Sequence, residues 1–246
     1  MKILGLETST LAGGVALMSD SGLIAEYRLH VEVRHSERIL IAIDHVLTES
    51  KTALSDLDAV AVSIGPGSFT GLRVGLATAK GLLMGAGKPM VAVPTLEAMA
   101  AGFPYSRMPV APLIHARKDE VYWSLFDLHD GTPRRLHPDA VGSPREMLDR
   151  IASLKEILFV GDGAVKRRDL ILEQRPDGSF FPPFALQFPS AAAVAELGLL
   201  KFSKGEKTDP AEAVPLYLKA STAELKWNEG RGKMGADLPI RADHAS

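Results

Sequence analysis

The chain has 246 residues, a formal net charge of −2, 46% hydrophobic and 24% charged residues, and no cysteine. That composition suits one large globular domain or two lobes of about 100 to 150 residues. It excludes disulfides, thiolate metal sites and a cysteine nucleophile, and it gives no bulk electrostatic pull toward nucleic acid or membrane.

The first apolar run is interrupted at Glu7, too early for a signal peptide, and no later run reaches membrane-spanning length, because glycines, Lys80 and Lys88 break the longest candidate. A cytoplasmic protein is expected. Residues 2–6 predict a compact strand, and Glu7-Thr8-Ser9-Thr10 a polar turn. Residues 13–18 and 23–29 read as two further strands, with Ser19-Asp20-Ser21-Gly22 as the hairpin between them. Residues 36–49 read as a helix with Ser36 as N-cap and Glu37 in the first turn. Ile39, Leu40, Ile43, Val46 and Leu47 fall at helical spacing, and Ile41 and Ala42 widen the stripe.

A buried strand over 59–64 runs into Gly65-Pro66-Gly67-Ser68-Phe69-Thr70-Gly71-Leu72-Arg73-Val74-Gly75, and an Ala/Leu/Gly-rich helix leads out. Two readings are open for this strand–loop–helix. Free amides and the helix dipole would favour an anion above the loop; alternatively, Ser68 and Thr70 make a tight, self-capped turn with no ligand. The helix carries Gly71, Gly75, Gly81 and Gly85. Each interior glycine costs up to about 1 kcal/mol relative to alanine, so four call for a reason. At about 100° per residue, Gly71 and Gly75 share one face and Gly81 and Gly85 another. One face must meet the helix's own sheet; the other is open to a neighbouring helix, a partner protein, or burial within the domain.

Residues 90–93 predict a strand and 94–101 a helix; 102–106 read as a lobe boundary. The second lobe opens with strands over 110–114 and 120–128. A helix over 144–151 follows, then a strand over 156–160 that ends in Gly161-Asp162-Gly163 before a helix to about residue 173. Pro182, Pro183 and Pro189 mark a loop, 191–202 an Ala-rich helix, and 215–219 a short extended piece. The expected lobes are 1–104, completed by a helix over about 190–203, and 105–189; the polar stretch 220–246 is expected to be disordered.

The seven histidines, His30, His35, His45, His115, His129, His137 and His244, include no pair at i, i+4. His-Glu-x-x-His, Gly-x-Ser-x-Gly and Gly-x-x-x-x-Gly-Lys-Ser/Thr are all missing. The residues therefore nominate no catalytic group and no metal ligand. Thr8, Ser9, Gly67, Ser68 and Arg73 are the candidates for nucleotide or anion contact, Arg73 serving equally well as an anchor for its loop.

Both halves begin with strands and close with a strand, a glycine turn and a helix, like two copies of one α/β plan. That order is similar to the actin/Hsp70/sugar-kinase (ASKHA) folds, with a reduced second lobe. Five segments together resemble the bacterial TsaB (YeaZ) family over about residues 1–219. They are Lys2-Ile3-Leu4-Gly5-Leu6-Glu7-Thr8-Ser9-Thr10, His35-Ser36-Glu37, the run from Gly65 to Arg73, Ala116-Arg117-Lys118-Asp119-Glu120-Val121-Tyr122, and Pro215-Leu216-Tyr217-Leu218. The resemblance implies a part in making N6-threonylcarbamoyladenosine in tRNA, as the non-catalytic partner of the catalytic paralogue TsaD, with the ATPase TsaE as third member. tRNA would be met only through the complex, and the chain would form a homodimer when alone. Thr95 and Met99 stand where that paralogue carries its metal-binding histidine pair. The resemblance also puts the partner face on the helices flanking the central strand, at Leu40, Ile43, Leu47, Gly71, Leu72, Gly75 and Ala79. No cofactor of its own is expected, with ATP or ADP at the partner interface. The alternative is a free-standing ATP-dependent transferase or glycoprotease-like hydrolase of the same fold.

Overall fold

The computed structural model describes residues 1–30 and 35–219, with residues 35–37 described in their backbone only. The first sheet holds β1 (Lys2–Glu7), β2 (Ala12–Ser19), β3 (Gly22–His30), β4 (Ala59–Gly65) and β5 (Met90–Pro94), in the order β3-β2-β1-β4-β5. The second holds β6 (Val110–His115), β7 (Val121–Asp127), β8 (Arg134–Gly142), β9 (Ile157–Val160) and β10 (Ser179–Phe180), in the order β10-β9-β6-β7-β8. Each sheet is an antiparallel meander of three strands whose first strand then pairs in parallel with the fourth. The two halves thus repeat one plan strand for strand. The sequence does not announce β8: it carries Arg134, Arg135 and Pro138, and only its place at a sheet edge tolerates a proline.

The helices are α1 (His35–Glu49), α2 (Phe69–Ala86), α3 (Thr95–Ala101), α4 (Pro144–Arg150), α5 (Asp162–Lys166), α6 (Arg168–Gln174) and α7 (Ala191–Ser203). On one face of the first sheet, Leu4, Leu6, Val15, Val60 and Val62 pack against Ile39, Ile43 and Val46 of α1 and Leu76, Ala79 and Leu83 of α2. The α1 stripe is therefore borne out at Ile39, Ala42, Ile43 and Val46, whose spacing seats the helix, whereas Leu40 and Ile41 of the expected stripe are exposed. On the other face, Val194 and Leu197 of α7 meet Ile3, Ala59 and Ala61. The second sheet buries Leu113, Trp123 and Phe159 against Met147, Leu148 and Ile171. Fully burying one such large apolar side chain contributes roughly 1.5–3 kcal/mol. Leu96 and Met99 of α3 join Val110, Phe126 and Val160 at the seam between the sheets. The cap proposed at Ser36, the Glu37 side chain and the tail 220–246 lie outside the described residues.

Candidate functional site

β1 and β4 are parallel neighbours, so the turns that follow them sit side by side at one end of the sheet. In open α/β sheets this carboxyl end is where ligands collect. Here the two turns lock onto each other. The Ser68 amide donates to the Ser9 carbonyl at 2.7 Å, and the Thr8 hydroxyl donates to the Gly71 carbonyl at 2.8 Å. Ser68 also caps α2, its hydroxyl accepting from the Gly71 amide at 3.2 Å. A Cβ built on Gly67, Gly71 or Gly75 would come closer than 3.0 Å to the Ser9 carbonyl, the Thr8 carbonyl and the Thr8 hydroxyl respectively. The glycines exist for close approach, and what approaches is the chain's own β1 turn.

Beneath the turn lies Glu7, fully buried. Its Oε1 accepts from the amide and hydroxyl of Ser9, while Oε2 has no hydrogen-bond partner among the described residues. Burial pushes its carboxyl up to about 7, against the opposing pull of the hydrogen bonds from Ser9. Above the loop, Arg73 donates from Nε to the Tyr217 hydroxyl at 3.0 Å and lays its guanidinium 4.0 Å from the centre of the Phe69 ring. Tyr217 stacks on Phe69 with centroids 4.8 Å apart, and the Leu216 amide donates to the Ile64 carbonyl at 2.7 Å. The late extended piece thus returns to cover the start of α2.

Comparison with known proteins agrees with this architecture. A model of the TsaD family, tRNA N6-adenosine threonylcarbamoyltransferase, matches residues 30–227. The tRNA threonylcarbamoyladenosine biosynthesis protein TsaB of Bacillus subtilis (strain 168) is 32% identical over 235 residues, covering 94% of this chain and 100% of that protein. The chain belongs to the TsaB family. TsaB of Escherichia coli (strain K12) is 34% identical, covering 95% of this chain and 100% of its own length. A crystal structure from Pseudomonas aeruginosa, of a protein with similarity to peptidase YeaZ, superposes with a TM-score of 0.77 at 29% identity. That match covers 89% of this chain and 99% of the other. The fold is the two-lobed actin/Hsp70-like ASKHA fold.

Within this TsaB-family chain several nominated residues take other roles than expected. Ile43, Gly71, Leu72, Gly75 and Ala79 are buried in the first lobe and offer no surface to a partner. The Gly71/Gly75 face meets the β1 turn, so it is the intramolecular face. Of the nominated interface set, Leu40 is exposed and Leu47 half-buried. Thr8 and Ser9 are fully buried, so neither presents surface to a ligand; Gly67 is half-buried, and Ser68 and Arg73 are exposed.

The outward face of the helix pair is made by other residues. Met84 is 85% exposed, Ile41 69% and Leu40 57%. Among the described residues, no atom outside the helix's own backbone turn lies within 4 Å of a Cβ built on Gly81 or Gly85. Arg73, Ala77, Gly81 and Met84 form one exposed stripe along α2, and α1 lies in contact with that helix. The signal was in the sequence: Ile41 widens its stripe beyond what one buried side needs, and Gly81 and Gly85 form the second glycine face. In α3, Thr95 and Met99 are buried, and the Thr95 hydroxyl has no hydrogen-bond partner among the described residues.

Proposed function

We propose that the chain is a non-catalytic subunit required for N6-threonylcarbamoyladenosine modification of tRNA, and that it docks on a TsaD-like catalytic subunit through the outward sides of α1 and α2. The observation that carries this reading is the exposure of apolar groups on both helices, Leu40 and Ile41 on α1 and Met84 beside the open backbone at Gly81 on α2, which together make the proposed ridge. An exposed apolar patch on a helix pair marks a protein interface, and the small residues let a partner helix approach the α2 backbone. The family match supports the pathway, since relatives of full length carry the threonylcarbamoyladenosine biosynthesis name. Burial of Thr95 and Met99, which stand at the histidine positions of the catalytic paralogue, supports the division of labour.

In this reading a TsaE-like ATPase is the third member, and tRNA meets the chain only in the assembled complex. The same ridge serves a homodimer when the partner is absent. ATP or ADP is held at the partner interface, where Ser68 and Arg73 are, of the nominated contact residues, the exposed polar ones. Surface capture of the TsaD-like subunit on immobilised chain tests the ridge. Wild-type chain should capture it, and Met84→Asp should weaken capture at least about tenfold. Undiminished capture by a folded Met84→Asp variant would show that the ridge is not the docking face.

A further inference from the structure

The chain crosses between its lobes twice, over residues 102–109 and 181–190. After α7 it returns along the first lobe and ends, within the described residues, on the second. Thr208 exchanges backbone hydrogen bonds with Met90 at 2.8 and 3.3 Å. The Ala211 carbonyl accepts from Lys80 Nζ at 3.3 Å, and Ala213 is buried in the core under α1 and α2. Leu216 bonds to Ile64, and its carbonyl oxygen lies 2.7 Å from where a Cβ on Gly65 would stand; Gly65 itself has φ +119°. Tyr217 is held by Phe69 and Arg73. Two residues later, Lys219 donates to the Glu120 carboxylate, on the turn between β6 and β7 of the second lobe.

We propose that residues 208–219 are a clasp that restrains the angle between the two lobes, anchored along the first lobe and latched on the second by the Lys219–Glu120 pair. The two ends differ in kind. The first-lobe end rests on backbone hydrogen bonds, a buried alanine and an aromatic stack, which salt does not screen, with Lys80 and Arg73 adding charged donors. The second-lobe end, within the described residues, is a half-exposed ion pair, which salt does screen. The latch therefore opens at Lys219 and leaves the rest of the strap in place. A separate ionic junction spans the seam: Glu97 on α3 takes Lys201 of α7 at 3.1 Å and Arg135 of β8 at 3.9 Å. The clasp adds a third, releasable link to the two covalent crossings. Because the strap also holds Arg73 at the start of α2, whatever engages that helix start is coupled to lobe angle. The clasp itself stands without any reading of the partner.

The absence of cysteine makes the test direct, since two introduced cysteines take spin labels at those positions alone. Labels at Ser21→Cys and Ser153→Cys, both exposed and one on each lobe, report the interlobe distance by pulsed electron paramagnetic resonance. The wild-type distribution should be narrow. Lys219→Met should broaden it about twofold, as should raising salt to about 1 M. High salt should broaden Lys219→Met less than it broadens wild type, since of the two ionic links only the Glu97 junction is then left to screen. The charge swap Lys219→Glu with Glu120→Lys should restore the narrow distribution at low salt. Arg134→Ala, which breaks a pair with Asp127 inside the second lobe, should leave it unchanged. Lys219 is half-exposed, so its replacement by methionine leaves the fold intact and isolates the latch. A Lys219→Met distribution that superimposes on wild type, or a swap that fails to narrow it, would overturn the clasp.

Discussion

Glu7 is the residue on which the two turns of the first lobe converge. Its carboxyl is fully buried, one oxygen is tied to Ser9, and the other is bare. The folded protein holds the proton up to about pH 7, whereas the unfolded chain gives it up near 4.5. The stability this group contributes is therefore fully present below pH 4.5 and is lost as the pH rises through about 7. Glu7→Gln keeps the Oε1 acceptor and removes the titration. Near pH 5 the variant and the wild type should differ little; near pH 8 the variant should be more stable by up to about 3 kcal/mol in urea denaturation. A difference that stays constant across that range would contradict a buried carboxyl here. The sequence shows Glu7 as the polar end of an apolar strand, which is enough to group it with Thr8 and Ser9. It does not show the burial, because the neighbours that enclose it, Gly14 of β2 and Ser63 of β4, come from other parts of the chain. Arg135 misleads in the same way. Beside Arg134 it reads as a solvated basic pair, yet it lies 4.6 Å over the Phe126 ring and pairs with Asp139 and Glu97.

At the scale of the element, α2 explains itself by its two glycine faces. Gly71 and Gly75 admit the β1 turn, while Gly81 and Gly85 face open space. Substitution should therefore have opposite signs along one helix. Gly71→Ala should destabilise by about 1–3 kcal/mol, because its methyl group meets the Thr8 backbone. Gly81→Ala should stabilise by up to about 1 kcal/mol through helix propensity alone. Chemical denaturation of the two variants decides, and equal effects would mean that the faces are wrongly assigned. The helical period made the two faces legible, but nothing in one sequence says which of them turns inward. That depends on where β1 lies relative to β4, a contact over some sixty residues of chain. The α1 stripe, the β4 run and the α7 alanines were legible for the converse reason, since their burial follows from their own periodicity. β8 escaped because an edge strand tolerates the charges and the proline that argue against a strand. The strap was visible as an extended piece, and its landing on Phe69 and Arg73 was not, because a stacking partner leaves no local pattern.

The whole molecule is two copies of one five-stranded plan, joined at α3 and spanned by the strap. Repetition of the plan was legible, since the order of strands and helices is itself a pattern. The first copy carries Leu40, Ile41 and Met84, the exposed apolar side chains of the proposed ridge. Met84→Asp is a surface change and should shift stability by no more than about 0.5 kcal/mol. Any loss of function in that variant therefore reports on docking, not on folding. Reconstituted threonylcarbamoyl transfer to tRNA, with purified TsaD-like subunit and TsaE-like ATPase, measures the central claim. Transfer should require this chain, be missing when this chain is the only protein present, and fall at least about tenfold when folded Met84→Asp replaces wild type. Transfer by this chain alone, or undiminished transfer with Met84→Asp, would contradict the account of a non-catalytic subunit that works through the α1–α2 ridge.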